Sequence, residues 1–209
     1  MYSKRSGLIL GFHGCDKELR DKIVAEKGEV LEHSDNSYDW LGSGIYFWEN
    51  NYKRALEFAT YLSENPPHNK KQKIKEPAVL GAIIDLGYCF DLLDSENLSF
   101  LSEGFKLIEK SKDEYGINIP ENVPLRENGD LLIRLLDCAV IESIHKFNKD
   151  KKKPGYDSVR GVFFEGDELY PNAGFKEKNH IQIALRNPNC IKGYFIPREL
   201  DKSYSNLVI

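Results

Sequence analysis

"LILGFHGC", residues 8–15, is an apolar run that closes on an aromatic residue, a histidine and a glycine. Its brevity and its turn-forming end predict a buried strand from Gly7 to His13. His13 is then either a hydrogen-bonded core histidine or the first polar contact of a ligand site, and the remainder of the chain has to weigh the two.

Next comes a helix from about Lys17 to Lys27. Asp16 is its N-cap, Leu19, Ile23 and Val24 share one face, and Gly28 is the expected C-cap. "EHSDNSYDW", residues 32–40, has no period and reads as a loop. In "LGSGIYFWE", residues 41–49, Gly42 and Gly44 flank a turn and Ile45 to Trp48 form a short strand. "NNYKRALEFATYLSEN", residues 50–65, predicts a helix that shelters Tyr52, Leu56, Ala59 and Tyr61 and stops at Pro66-Pro67. The basic connector "HNKKQKIK", residues 68–75, leads to a strand from Ala78 to Leu86.

Residues 94–148 change character. Two amphipathic runs, Leu98-Leu101-Phe105-Ile108 and Leu132-Leu135-Leu136-Ala139-Val140-Ile144, have helical spacing and flank a proline-containing loop from Asn118 to Asn128. Strands return in "VRGVFFEG", residues 159–166, "HIQIAL", residues 180–185, and "CIKGYFI", residues 190–196. The last two read as a hairpin around Arg186-Asn187-Pro188-Asn189. Strands mixed with helices predict an α+β fold rather than a doubly wound parallel sheet, with residues 1–209 as one domain carrying a helical insertion at about 94–150.

Charge and cysteines narrow the function classes. The net charge of −4 provides no global basic field, so a nucleic-acid acceptor needs a local patch. Cys15, Cys89, Cys138 and Cys190 form no metal-ligand spacing, no metal is expected, and unpaired thiols suit a reducing cytoplasm. No apolar stretch approaches the roughly 18 residues of a membrane span, and "MYSKRSGLILGFHG" lacks the features of a secretory leader. The tracts "HNKKQKIK" and "NKDKKKPG", residues 148–155, read as solvated connectors.

The residues of three strands carry a resemblance. "GFHGC" resembles the strand-end "WHGS" motif of the poly- and mono-ADP-ribosyltransferases, the diphtheria-toxin-like, PARP-like branch that uses NAD. "LGSGIYFWENNYKRALEFA" resembles the same family's "GKGIYFA" stretch and following helix, and "HIQI" followed by "CIKGYF" stands where the family's last strands stand. The likeness covers these motifs and hardly touches residues 90–150.

The resemblance implies a split antiparallel β-sheet sandwich with flanking helices, and NAD as substrate. His13 and Gly14 would hold the cofactor, His13 at a ribose hydroxyl and the Gly14 backbone at the carboxamide, where a missing side chain permits close approach. Tyr46 would stack on the nicotinamide. The family's second aromatic counts onto Glu57, with Phe58 one step away as the candidate, and its nicotinamide-contacting serine counts onto Arg54; both are departures. The family glutamate that meets the oxocarbenium-like charge is replaced by Gln182, which implies a mono-ADP-ribosyltransferase, a pentosyl transfer enzyme, rather than a polymerase. Glu165 and Glu57 are the carboxylates that can restore negative charge.

Two loops would shape recognition, "HSDNSYDW" on the donor side with Tyr38 and Trp40, and "GDELYPNAGFKEKN", residues 166–179, on the acceptor side with Tyr170 and Phe175. The acceptor is a protein or a nucleic acid, and family habit implies a toxin or phage-defence effector with an antitoxin or immunity partner. Two other readings stand beside this one. An RNA 2′-phosphotransferase would need arginines on a phosphate, of which Arg20, Arg54, Arg160 and Arg186 lie near the motifs; a non-catalytic NAD or ADP-ribose-binding module is compatible with Gln182.

Overall fold

The computed structural model describes residues 7–26, 28–66, 73–116, 118–124 and 130–204. Residues 1–6 of the stretch read as lacking a secretory leader, the helix end at Lys27, Pro67, residues 68–72 of the connector and residues 125–128 of the proline loop lie outside the described residues. Among those described, four α-helices accompany a seven-stranded sheet, so the architecture is α+β.

The first strand, β1 (Ile9–Asp16), runs directly into α1 (Lys17–Ala25) because Asp16 switches roles at the junction, its carboxylate accepting from Glu18 N–H at 2.9 Å. The helix stops at Ala25 with Glu26 as cap, short of the predicted Lys27, and Gly28 lies beyond it with a positive φ of 96°. After the 32–44 loop, β2 (Ile45–Glu49) leads to α2 (Tyr52–Glu64), whose N-cap Asn51 accepts from Arg54 N–H at 3.1 Å. Ala55 and Ala59 are fully buried on the inner face, and Leu56 packs beside them. Tyr52 and Tyr61, expected to be sheltered, are exposed instead: the small residues set the contact face, and the two rings fall outside it.

Strands β3 (Pro77–Ile84) and β4 (Cys89–Asp91) precede the insertion, which is helical as predicted: α3 (Ser95–Tyr115) and α4 (Leu135–Asp150), joined through the two-residue strands β5 (Asn122–Val123) and β6 (Ile133–Arg134). The last strands are β7 (Ser158–Phe163), β8 (His180–Leu185) and β9 (Ile191–Phe195).

Sheet order is β4-β7-β8-β2-β1-β3-β9, antiparallel throughout except for the β4–β7 pair. The expected hairpin of β8 with β9 is therefore incorrect. Both ladder edges of β8 are taken, one by β7 and the other by β2, so β9 has no free edge there and crosses to pair with β3. The turn between them is instead a 3-10 turn at Pro188–Cys190, and Arg186 and Asn187 donate backbone N–H groups to Asp157 O.

Alternation along the strands separates two faces. One carries Cys15, Ile45, Phe47, Leu80, Ala82, Ile84, Ile183 and Leu185 against Ile23 of α1. The opposite face is covered by α2 over Trp48 and Val79, and by α3 and α4 over Val159, Phe163 and Ala184. Pairing between β1 and β2 is brief, only Gly11↔Glu49 and Phe12↔Trp48, whereas β1 and β3 pair all the way to Asp16↔Pro77. Beyond Phe12 the two halves of the sheet part company.

Gly14 is required by packing: a Cβ there would lie 2.2 Å from the Ala55 carbonyl oxygen of α2. A helix backbone cannot yield as a side chain can, so Gly14→Ala is expected to lower stability by about 3 kcal/mol without NAD present. A urea midpoint equal to that of the parent protein would show that α2 does not press on β1 at this point.

Candidate functional site

His13 lies in the gap between β1 and β2, its Nδ1 2.8 Å from Tyr46 O. A carbonyl only accepts, so Nδ1 carries the hydrogen and the bond ties the two diverging strands across the motif positions. Tyr46 is less open than a stacking platform requires. Its hydroxyl donates to Gly42 O at 2.8 Å and accepts from Leu41 N–H at 2.9 Å, and its ring joins the cluster beneath α4. Burial pushes the phenol well above its usual range. Gly42 makes this turn possible, having a φ of 77° and the Glu142 carboxylate pressed against it.

The loop before β2 is fixed from several directions. Ser34 and Gly44 exchange backbone hydrogen bonds, Asp39 accepts from Asn36 N–H at 2.8 Å, and Glu142 of α4 accepts from Ser43 N–H at 2.7 Å while pairing with Arg186 at 2.6 Å. Tyr38 is exposed, as a cofactor-covering residue would be. Trp40 is not: its indole N–H donates to Leu132 O at 3.0 Å, and its ring packs on Phe163, with the Arg134 guanidinium over both rings. It helps wall a cavity of about 550 Å³, whose lining includes Leu101 and Phe105 of α3, Val140 of α4 and Phe163 of β7. This cavity lies under the insertion helices; neither His13 nor Gln182 lines it.

The polar cluster lies one strand over. On β8, His180 and Gln182 point to the face covered by α2, with Gln182 opposite Trp48 of β2 on one side and the side-chain-free Gly161 of β7 on the other. The Gln182 amide makes no hydrogen bond to the described residues and is partly exposed. Phe58 does not complete a sandwich around Tyr46; it packs on Trp48, with ring centroids 5.0 Å apart. Arg54, one helical turn before Phe58, pairs with Glu57 at 2.8 Å and reaches Glu165 just past β7 at 3.2 Å.

Glu165 is largely covered, its side chain 14% exposed, and burial raises its pKa despite the Arg54 guanidinium. Tyr170 and Phe175 of the loop between Glu165 and β8 are exposed as expected.

Sequence reasoning missed Trp48 and His180. Trp48 Nε1, Arg54 Nε and His180 Nε2 are all buried with no hydrogen-bond partner among the described residues. Period-two alternation, which puts Trp48 beside Tyr46's face and His180 beside Gln182's, is the signal that would have found them. The four arginines near the motifs each pair with a carboxylate: Arg20 with Asp21, Arg54 with Glu57 and Glu165, Arg160 with Glu49 and Asp91, Arg186 with Glu142. Among the described residues no group of three or more His, Cys, Asp or Glu is placed to hold a metal ion, and no helix is long and apolar enough to cross a membrane.

Burial pushes the His180 imidazole down to about 4, and His145 of α4 likewise to about 4. In the unfolded chain both titrate near 6.5. Between those values the unfolded state binds more protons, so the stability they contribute is complete above pH about 6.5 and is lost as pH falls toward about 4. Glu165, whose pKa is raised, opposes part of that loss. Urea midpoints measured across this window should fall with acidity; a flat profile would mean that neither imidazole is held neutral by burial.

Comparison with known proteins adds one distant relative. The chain is 26% identical over 213 aligned positions to the uncharacterized protein MJ0359 of Methanocaldococcus jannaschii, spanning 91% of this chain and 89% of that one. No family model matches the chain. No solved structure matches it either.

Proposed function

We propose that the protein is an NAD-dependent mono-ADP-ribosyltransferase with the split-sheet fold of that family, releasing nicotinamide and transferring ADP-ribose to a macromolecule. The observation that carries this reading is the meeting of the three motif strands: His13 bonds to the Tyr46 carbonyl where β1 and β2 separate, and β8 sets Gln182 against the same β2 strand. NAD would lie along that separation, with the Gly14 backbone and His13 on one bank and Tyr46 on the other.

Within this reading Gln182 supplies hydrogen-bonding reach to the nicotinamide ribose, and Glu165, half-buried and paired with Arg54, is the carboxylate that would meet the positive charge of an oxocarbenium-like transition state. The phosphotransferase alternative is weakened because each of the four arginines near the motifs already holds a carboxylate. A role as a toxin or defence effector, with an antitoxin or immunity partner, rests on the family likeness alone, and so does a cytoplasmic location.

Incubation with NAD labelled in the adenylate half, together with a cell lysate, tests the reading. Nicotinamide release with label on macromolecules is expected, and protease or nuclease sensitivity then names the acceptor. Nicotinamide without labelled macromolecule would make the protein a glycohydrolase, binding without release would make it a non-catalytic module, and neither binding nor release would end the NAD reading.

A further inference from the structure

Three orphaned polar atoms gather at one place in the fold. Trp48 and His180 ring centroids are 6.4 Å apart, Phe163 lies 5.7 Å from His180, and Arg54 sits one helical turn from the Phe58 ring that covers Trp48. Trp48 and His180 are 4% and 5% exposed. A buried polar group without a partner is costly, so three in one cluster point to a ligand group that satisfies them.

Their chemistry specifies that group. His180 Nδ1 donates to Lys178 O at 2.6 Å, which leaves Nε2 as a lone pair in the neutral ring. Trp48 Nε1 and Arg54 Nε are donors only. The complementary group must both give and accept a hydrogen bond, which a hydroxyl does. A carboxylate or phosphate oxygen would set its own lone pairs against His180 and lie beside Glu57 and Glu165. Position then separates donor from acceptor: residues 166–179, the loop with the exposed Tyr170 and Phe175, follow Glu165 and re-enter the sheet at His180, so the cluster borders the segment read as the acceptor loop.

We propose that His180 receives the proton of a hydroxyl acceptor as that oxygen bonds to the ribose, so that the protein modifies hydroxyl groups rather than carboxylates or amines. This rests on the ADP-ribosyltransferase reading. Trp48 Nε1–H and Arg54 Nε–H hold the acceptor oxygen. That oxygen forms a bond to the ribose C1′ as the C1′–nitrogen bond breaks, its electron pair staying on the departing neutral nicotinamide. The hydroxyl proton moves to His180 Nε2 and from there to water. The groups around His180 are Arg54 of α2, Arg134 ahead of α4, and Lys178 on its own loop; with burial, the two arginines keep the ring neutral and proton-free at neutral pH.

The test offers the full-length protein NAD with three small acceptor probes: N-acetylserinamide, N-acetylaspartic acid amide and N-acetylargininamide. The expected product is the serine adduct. His180→Gln keeps an acceptor atom but cannot take up a proton, and should cut transfer to serine about a hundredfold while NAD binding by calorimetry is unchanged. Trp48→Phe should raise the KM for the serine probe with the NAD affinity kept, which covers the case in which His180→Gln fails to fold. Preferred modification of the aspartate or arginine probe, or full serine transfer by His180→Gln, overturns the hydroxyl assignment and leaves ADP-ribosyl transfer standing. Failure of the parent protein to bind NAD or release nicotinamide overturns both.

Discussion

Replacing Arg160 by leucine is expected to destabilise the protein by about 3–5 kcal/mol. Arg160 is 1% exposed at the middle of β7, and its guanidinium forks onto Glu49 at 2.5 and 3.1 Å and onto Asp91 at 3.0 and 3.1 Å. Glu49 ends β2 and Asp91 ends β4, so one side chain ties together the strands on either side of β8 and the sheet edge beyond. Leucine would leave two largely desolvated carboxylates facing an apolar side chain, and the cost comes from that stripped charge. Urea denaturation is the measurement. Arg160→Lys, which keeps a charge but loses the planar fork, should fall between parent and leucine variant. A leucine variant within 1 kcal/mol of the parent would show that the two carboxylates are accommodated without the guanidinium.

Gln182→Ala should act in the opposite way, lowering nicotinamide release about a hundredfold with a melting curve close to that of the parent. The amide holds no described residue in place, so its removal costs the fold little. It stands between Trp48 and the side-chain-free Gly161 and is partly exposed, and that placement is why the proposed function assigns it to the substrate. Loss of stability together with activity would assign Gln182 to the core. Full activity in the alanine variant would remove it from the site and leave Glu165 as the group that meets developing charge.

Of the two roles that its sequence position suggested, the structure shows the first for His13, and the second belongs to the proposed function. His13 is hydrogen-bonded to the protein, through Tyr46 O, and it is placed in the gap where the proposed substrate would lie. Gly14 similarly serves the packing of α2 whatever else its backbone contacts. A motif residue with a structural duty of its own is a poor target for substitution, because stability and activity fall together. Gln182 separates those effects better than Gly14 or Tyr46.

Local patterning was enough to place most elements. The predicted cap Asp16 bonds as an N-cap does, the two amphipathic runs within residues 94–148 are helices, and the short apolar runs are strands, because each depends on neighbours within a few residues. The composition and alternation of the chain also determined the α+β class. Strand partnership was beyond that reach: β8 and β9 have the pattern of a hairpin, yet β7 and β2 already occupy both edges of β8. The Arg160 fork, the Trp48–Arg54–His180 cluster and the burial of Tyr46 under α4 were likewise decided only in three dimensions. Periodicity states which face a side chain takes, but which distant segment covers that face depends on competition among all the strands and helices for the same edges and surfaces.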